Sequence, residues 1–421
     1  MRIAIVTLQL HTNYGGVLQA FALQRTLEKM GNVVEIIQME DILPEPEGLT
    51  ALRKILTRTF RRYVLGQKNA EPMRERRVNR EFATVGAEFV RFFDKYLNIR
   101  RISSFKEILP SDYDAFVVGS DQVWRPMYNS GLLHSYLDFT WDDMGRSGKA
   151  VGWNVRRIAY AVSFGCDVWE YTGRQTAAAG RLAQRFDALS FRERSGVENA
   201  RKYLGVSSVA VLDPTLLLSP EDYLDLVGKP AGCDAAADMS PVSAGSCQRN
   251  SASGSGKEGY VFEYILDGDA YGIGEIENAA GLSGRYETRR FLKADPRGRG
   301  DISGRVQPSV ESWIEGMAGA SAVITDSFHA CVFAVIFHKP FIVVGNRKRG
   351  LSRVQWLLGQ LGLDNCLVDR VPGKSVSLSG AAGQILDGGP DWDDVDRRLR
   401  HLRSESLAFL EHSLEIKDTC N

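Results

Sequence analysis

The chain has 421 residues, of which 44% are hydrophobic, and its 52 basic residues balance its 52 acidic ones. Because domains usually contain roughly 100–200 residues, this length predicts two domains rather than one. A net charge of zero creates no global field that would attract a polyanion, so we expect no nucleic-acid partner.

The cysteines form no CxxC pair and show no metal-ligand spacing, so we predict free thiols, no bound metal and a reducing, cytoplasmic setting. No stretch approaches the ~20 apolar residues that a membrane-spanning helix needs. The first nine residues are too short an apolar run for a signal peptide and are predicted to form a strand. The six cysteines are Cys166, Cys233, Cys247, Cys331, Cys366 and Cys420.

A strand–helix–strand unit is predicted at the start of the chain. Ile3–Val6 is an apolar run, a helix-spaced apolar pattern follows up to Gly31, and Val33–Ile37 is the next apolar run. The turn His11–Gly16 between strand and helix is neither GxGxxG nor a Walker A loop, which disfavours a dinucleotide or ATP site. Its paired glycines either bring the helix start close to a ligand or form a tight turn for packing.

Residues 53–80 are strongly basic, with ten basic and two acidic side chains and apolar residues interleaved. One interpretation is a solvated helical face. The other is a docking surface for an anionic polymer, a lipid-linked diphosphate or an acidic membrane face.

Two further apolar runs end in polar residues that are candidates for binding. Ala115–Val118 is followed by Gly119-Ser120-Asp121-Gln122, and Ala188–Phe191 is followed by Arg192. The carboxyl ends of parallel strands are where open α/β sheets bind ligands. An Asx-type turn at Asp121, and a structural ion pair of Arg192 with Glu193 or Asp187, are the alternatives.

The composition changes abruptly at residues 229–258, which are rich in Ser, Gly and Ala and nearly devoid of large apolar residues. We predict a disordered insertion or linker there. This divides the chain into an N-terminal Rossmann-like lobe (1–228), a C-terminal Rossmann-like lobe (259–390) and a final amphipathic helix (391–421) that packs back on the lobes.

A second strand–helix–strand unit is predicted in the C-terminal lobe. The run Ala322–Ile324 ends in Thr-Asp-Ser, which can cap a helix, and Lys339-Pro340 ends that helix before the strand Phe341–Val344. His329 falls in the first helical turn, beside a strand end and a helix N-terminus that favours anions. It is either a functional residue or a histidine packed against the sheet. A basic loop, residues 346–353, follows the second strand.

These segments together resemble the polysaccharide pyruvyl transferases. The matching stretches, in the family's order, are Asn13–Gln24, Val118–Trp124, Tyr160–Gly165, Ser190–Glu193, Leu212–Thr215 and Ile324–His329. The resemblance implies a GT-B-like α/β fold, in which two Rossmann-like lobes with parallel sheets flanked by helices face a cleft. It also implies transfer of pyruvate from phosphoenolpyruvate to a sugar as a ketal, with phosphoenolpyruvate as donor substrate and no cofactor.

In this family a histidine acts as the acid or base and arginines hold the donor, and His329 and Arg192 match those positions. Some members carry an arginine two residues before the histidine, where this chain has Ser327. The arginine's donor contact would have to come from Arg347, Lys348, Arg349 or Arg353. The residues expected to bind the donor are Arg192, Ser327, Arg347, Arg349 and Arg353.

The chemistry needs a proton donor near C3 of phosphoenolpyruvate and cations around its carboxylate and phosphate. We expect His329 to supply the proton and Asp121 to orient or deprotonate the acceptor hydroxyl. The residues expected on the acceptor side or in the cleft are Asn13, Tyr14, Gly15, Gly16, Ser120 and Gln122.

The expected acceptor is a sugar, an oligosaccharide or a lipid-linked saccharide, with peripheral contact to the inner membrane face through residues 53–80 as an option. Two other functions fit the same pattern. One is a GT-B glycosyltransferase that uses a nucleotide sugar, and the other is a catalytically silent binding protein of polysaccharide assembly.

Overall fold

A computed structural model describes residues 1–43, 45, 48–67, 69–142, 151–228, 259–267, 282, 285–292, 294–346, 350–368 and 388–415. The predicted insertion at 229–258 lies outside the described residues, as do Arg347, Lys348 and Arg349 of the basic loop.

The N-terminal lobe is built on a seven-stranded parallel sheet. Its strands are β1 (Arg2–Val6), β2 (Val33–Met39), β3 (Ile99–Ile102), β4 (Ala115–Gly119), β7 (Arg156–Val162), β8 (Ala188–Phe191) and β9 (Val209–Ala210). A separate antiparallel pair is formed by β5 (Trp141–Asp142) and β6 (Val151–Gly152). The order in the sheet is β3-β2-β1-β4-β7-β8-β9. The helices are α1 (Tyr14–Lys29), α2 (Gly48–Tyr63), α3 (Arg74–Val85), α4 (Ala87–Tyr96), α5 (Gly173–Ala183), α6 (Arg194–Asn199) and α7 (Pro220–Leu224).

The C-terminal lobe contains a second parallel sheet of five strands. They are β10 (Tyr260–Tyr264), β11 (Glu287–Arg290), β12 (Ala322–Thr325), β13 (Phe341–Val344) and β14 (Leu367–Val368), in the order β11-β10-β12-β13-β14. Helices α8 (Val310–Ala318), α9 (Phe328–Ile336) and α10 (Leu351–Leu361) belong to this lobe, and α11 (Trp392–Leu414) follows it. Two parallel sheets flanked by helices confirm the predicted pair of Rossmann-like lobes.

Helix α1 begins and ends where the sequence predicts. The Asn13 side chain accepts a hydrogen bond from the Gly16 backbone N–H at 3.3 Å and so caps the helix. Gly31, just past the helix, has φ +84°, a left-handed conformation that glycine adopts without strain.

One continuous hydrophobic core joins the lobes. Tyr14 at the start of α1 stacks on Trp313 of α8, with ring centroids 5.8 Å apart and planes inclined by 11°. Its hydroxyl donates to the Pro308 carbonyl at 2.8 Å. The core cluster that contains these rings extends from Ile3 in β1 to Leu357 in α10 and so spans both lobes. A second buried cluster, which includes Trp124, lies within the N-terminal lobe, and a smaller one, which includes Ile342, lies within the C-terminal lobe.

Helix α11 packs against both lobes. On the N-terminal lobe, Arg403 Nε donates to the Leu216 carbonyl at 2.7 Å. Ser406 Oγ accepts from the Leu212 N–H at 3.0 Å. On the C-terminal lobe, the Nε2 of His338 lies 2.9 Å from the Oδ1 of Asp396.

Two elements differ from the sequence prediction. The apolar run Val209–Leu212 has the pattern of a strand, but β9 ends at Ala210, and the Leu212 N–H bonds to the Ser406 hydroxyl of α11. Arg353, expected in a basic loop, lies in the first turn of α10 and is buried. No helix among the described residues is long and apolar enough to cross a bilayer.

Candidate functional site

The site begins with the turn from β12 into α9, as the sequence predicts. Ser327 precedes the helix, and its hydroxyl accepts from the Ala330 N–H at 3.5 Å. Thr325 Oγ1 donates to the Tyr264 carbonyl at 2.6 Å and fixes the end of β12 against β10. His329 is therefore held in the first turn of α9, and its side chain is buried.

Gly15 at the start of α1 lies against the imidazole of His329. A Cβ added at Gly15 would lie 2.2 Å from His329 Nδ1, which is far inside contact distance. Gly15 thus allows the first helix of one lobe to approach the histidine of the other. The structure shows this glycine in a close approach between lobes, rather than in a turn that serves packing within one lobe.

Arg192 lies between two carboxylates at the centre of the site. Its Nη2 donates to Asp121 Oδ1 and its Nη1 donates to Asp213 Oδ2, both at 2.8 Å. The guanidinium is completely buried. Neither Glu193 nor Asp187 takes the ion pair with Arg192 that the sequence left open.

Asp213 is the site residue that the sequence did not single out. Its Oδ2 lies 3.6 Å from His329 Nε2 and accepts from Ser120 Oγ at 3.2 Å. Its Oδ1 accepts from Thr215 Oγ1 at 2.6 Å. The signal was present in the matching stretch Leu212–Thr215, but a strand-ending Asp-Pro pair is also a common structural turn.

The charges in this cluster keep both aspartates ionised. Burial would raise the pKa of Asp121, but the positive charges of Arg192 and His329 outweigh it and hold the pKa below its ordinary value. Burial would also raise the pKa of Asp213. Its interactions with His329 and Arg192 prevail and hold its pKa well below the usual range.

Two nitrogens in the cluster have no hydrogen-bond partner within the described residues. They are His329 Nε2 and Arg192 Nε, and both are buried. A buried donor without a partner costs about 1–3 kcal/mol, so such groups are uncommon in folded proteins unless a ligand or water meets them. Both nitrogens are therefore candidates to bind an anionic substrate.

Arg353 adds a third buried cation. Its guanidinium lies 5.4 Å from the centre of the Phe328 ring, and that of Arg192 lies 5.1 Å from the same ring. Burial and the neighbouring charge of Arg192 lower the pKa of Arg353 to about 10, so it remains protonated at neutral pH. Two like charges therefore lie near one aromatic ring, and an anion bound between the lobes would stabilise them.

Glu193 is a buried carboxyl group close to these cations. Burial raises its pKa, although the charges of Arg192 and Arg353 act in the opposite direction. Its Oε2 has no hydrogen-bond partner in the described part of the chain. The sequence suggested Glu193 only as a partner of Arg192.

Of the other residues predicted to line the cleft, only some lie next to the charged cluster. Ser120 supports the cluster, since its N–H donates to Gln19 Oε1 at 2.8 Å and its hydroxyl contacts Asp213. Gln122 Oε1 accepts from Arg125 Nη1 at 3.2 Å. Tyr14 lies in the aromatic core between the lobes, and Asn13 and Gly16 form the cap of α1.

Within the described ranges, no three His, Cys, Asp or Glu side chains are grouped in a way that could hold a metal ion. The cluster offers instead one imidazole, two arginines and three carboxylates, all of them buried. This arrangement can bind an anion and transfer a proton.

The chain is similar to several solved structures at low sequence identity. A UDP-GlcNAc 2-epimerase from Neisseria meningitidis is 8% identical, with 98% of this chain and 99% of that chain covered and a TM-score of 0.47. MurG from Acinetobacter baumannii is 10% identical, with 98% of each chain covered and a TM-score of 0.38. UGT89C1 from Arabidopsis thaliana, complexed with UDP-L-rhamnose, is 11% identical, with 98% of each chain covered and a TM-score of 0.45.

No curated protein sequence matches the chain significantly. The family model described as polysaccharide pyruvyl transferase matches residues 13–348, a range that contains Gly15, Asp121, Arg192, Asp213 and His329. The match runs through both lobes and through every stretch from which the buried cluster is assembled, apart from Arg353. The chain therefore belongs to the polysaccharide pyruvyl transferase family.

Proposed function

We propose that the protein transfers the pyruvyl group of phosphoenolpyruvate to two hydroxyls of one sugar, in a cell-surface polysaccharide or its lipid-linked precursor, and forms a ketal. The observation that supports this most directly is the pair of buried nitrogens without partners, His329 Nε2 and Arg192 Nε, beside the guanidinium of Arg353. Family membership supplies the reaction class.

The reaction balances without a cofactor or an oxidant. A proton is added to C3 of phosphoenolpyruvate while one sugar hydroxyl forms a C–O bond to C2. The C–O bond to phosphate then breaks, and a second hydroxyl of the same sugar closes the ketal ring. One of the two hydroxyl protons restores the acid group that protonated C3, and the other leaves with inorganic phosphate.

His329 is the proposed proton donor to C3. Its Nε2 has no hydrogen-bond partner among the described residues, and Asp213 lies 3.6 Å from it. An ionised Asp213 at that distance forms an ion pair with the protonated ring and holds it in place. Proton transfer by a positioned side chain contributes typically 10²–10⁴-fold to a rate.

The arginines are proposed to stabilise the donor and the departing phosphate. Arg192 is fixed by two carboxylates through one N–H of each Nη atom, and its unpartnered Nε is left to meet the substrate. This makes Arg192 first of all an organiser of the site. Arg353 and the N-terminus of α9 are then proposed to stabilise more of the negative charge of phosphoenolpyruvate than Arg192 does.

Asp121 is proposed to orient the acceptor hydroxyl. Its Oδ1 is engaged by Arg192, whereas no described residue makes a hydrogen bond to its Oδ2. Its backbone is in the left-handed region, with φ 66°, which turns the side chain out of the line of β4. Because its pKa is low, it is better suited to hold a hydroxyl than to remove its proton early.

Two experiments test the proposed donor. We expect phosphoenolpyruvate, and no nucleotide sugar, to raise the melting temperature of the purified protein, because a ligand that binds only the folded state stabilises it. With a saccharide acceptor panel present, phosphoenolpyruvate should release inorganic phosphate. His329→Asn should weaken the thermal shift, since it removes one of the two unpartnered nitrogens, and should lose the phosphate release. His401→Asn, on the exposed side of α11, should change neither.

Other results would assign a different function. A thermal shift with a nucleotide sugar alone would favour a glycosyltransferase. A saccharide that binds without any phosphate release, in both the wild type and His329→Asn, would favour a silent binding protein of polysaccharide assembly.

A further inference from the structure

Helix α2 presents its apolar side chains to solvent. Leu49, Leu52, Leu56, Phe60 and Tyr63 are between 54 and 85% exposed. Successive helical residues are rotated by about 100°, so these five positions fall within an arc of roughly 80°. They form one continuous line along the helix, which we call the α2 stripe.

The side of α2 opposite the stripe contacts the protein. Arg58 lies opposite the α2 stripe on the helix and forms two hydrogen bonds with Glu75 of α3, Nη1 to Oε2 at 2.7 Å and Nη2 to Oε1 at 2.9 Å. No side chain of α2 whose exposure the structure describes is buried. A helix on the surface of a globular protein normally has the reverse orientation, with its apolar face against the core.

The charge of α2 is entirely positive. Residues 48–63 contain four arginines and one lysine and no acidic residue, in a chain whose net charge is zero. The described part of the chain gives Arg53, Arg61 and Arg62 no ion-pair partner. Basic residues beside a solvent-facing apolar stripe are the pattern of helices that lie in a membrane interface.

A shallow cavity of about 590 Å³ lies beside the C-terminal half of α2. Arg58, Arg61 and Arg74 contribute to its walls, with Glu71 as the only acidic residue among those that line it. Because Arg58 lies opposite the α2 stripe and is paired with Glu75, this cavity is on the side of α2 that would face away from a bilayer.

Other occupants of the α2 stripe fit these observations less well. A second copy of the chain would bring two helices with five positive charges each into contact, and like charges at short distance repel. A hydrated anionic polysaccharide would satisfy the arginines but would leave the leucines and Phe60 in water.

We propose that the α2 stripe docks the protein on an anionic lipid bilayer. The apolar side chains enter the interface, and the flanking basic residues contact lipid phosphates. Such docking would bring both lobes next to a lipid-linked acceptor, but it does not depend on the pyruvyl reaction.

Cosedimentation with vesicles tests the proposal without any sugar or donor present. We expect the protein to bind vesicles that contain phosphatidylglycerol and to bind pure phosphatidylcholine vesicles weakly. Leu56→Ser/Phe60→Ser should reduce binding to the anionic vesicles by at least about tenfold, because two large apolar side chains no longer enter the interface. Arg61→Glu/Arg62→Glu should abolish the preference for anionic lipid.

The matched control is Val33→Ser/Leu109→Ser. These residues are 63 and 52% exposed, against 61 and 55% for Leu56 and Phe60, but lie outside α2. The control should bind like the wild type, and circular dichroism should show all variants folded. Equal vesicle binding by Leu56→Ser/Phe60→Ser and by Val33→Ser/Leu109→Ser would overturn the proposal. So would a dimer in sedimentation velocity that dissociates in Leu56→Ser/Phe60→Ser, since the stripe would then belong to a second copy.

Discussion

At the scale of single residues, the centre of the molecule is a buried network of opposite charges. Arg192 joins Asp121 to Asp213, and Asp213 in turn lies next to His329. Because every member is buried, removing one leaves an uncompensated charge in a medium of low dielectric constant. The same low dielectric strengthens the interaction of the remaining unpartnered nitrogens with an anionic ligand.

Gly15→Ala should damage catalysis more than stability. The new Cβ would overlap the His329 ring, so the imidazole must move, and a displacement of about 1 Å can cost on the order of 10²-fold in rate. Phosphate release in the presence of phosphoenolpyruvate and acceptor measures this effect. Gly16→Ala is the matched control, because its Cβ would have no atom nearer than 3.4 Å. If the two variants lose activity equally, the close approach at Gly15 has no catalytic importance.

Asp213→Asn should destabilise the fold strongly. It removes a charge that Arg192 needs, and breaking a buried ion pair costs about 3–5 kcal/mol. Urea unfolding measures the change in the free energy of unfolding. Glu198→Gln removes one partner of an exposed pair with Arg194 and should cost less than about 1 kcal/mol. A cost for Asp213→Asn as small as that of the control would contradict the role of the network.

The stability of the protein should fall in acid, and Asp213 should account for part of the fall. Its pKa is lower in the folded than in the unfolded state, so unfolding takes up a proton as the pH decreases. The stabilisation is complete above the unfolded value of about 3.9 and is lost as the pH falls through the lower folded value. Urea unfolding at a series of acidic pH values should give a shallower dependence for Asp213→Asn than for the wild type. Identical slopes would show that Asp213 does not titrate differently in the two states.

At the scale of elements, α11 connects parts of the chain that are distant in sequence. Its polar side chains Arg403 and Ser406 form hydrogen bonds with backbone groups that follow β9. These bonds take the place of those that a neighbouring strand would make. Its apolar side chains Val395, Leu399, Leu410 and Leu414 are buried in the shared core. The helix therefore stabilises the N-terminal lobe although it follows the C-terminal one.

Leu410→Ala should reduce the stability of the whole protein. The side chain is completely buried, and a Leu-to-Ala change at such a site typically costs about 2–5 kcal/mol. Leu407→Ala, on the same helix but only partly buried, should cost less. Chemical denaturation of both variants gives the comparison. Equal costs would mean that α11 is not packed as described.

At the scale of the whole molecule, we expect the two lobes to unfold as one unit, because the largest hydrophobic cluster spans both of them. Tyr14, Trp313 and Phe262 belong to one hydrophobic cluster, and the buried charges come from both lobes. Separating the lobes would expose these rings and also break the contact between Asp213 and His329. Both costs oppose independent unfolding.

Thermal unfolding should accordingly show one cooperative transition. We expect tryptophan fluorescence, which reports on Trp313 near the junction and on Trp124 in the N-terminal lobe, to change at the same temperature as the helical circular dichroism signal. Two separated transitions, or probes that disagree, would show that each lobe has a stable core of its own.

The sequence by itself determined the alternation of strands and helices, the two lobes and the position of His329 at the start of a helix after a buried strand. These features depend on local patterns, since apolar runs of strand length, capping residues and helix-ending glycines act over a few neighbouring residues. It also indicated Asp121 and Arg192 as polar residues at strand ends.

Only the tertiary structure decided which charges meet. The pairing of Arg192 with both aspartates, the place of Asp213 beside His329 and the contact of Gly15 with the imidazole join segments that are far apart in the chain. The outward orientation of α2 was equally open, because a helical pattern shows that an apolar face exists but not what it contacts. Packing of the lobes sets these contacts, and packing depends on all of the core residues at once.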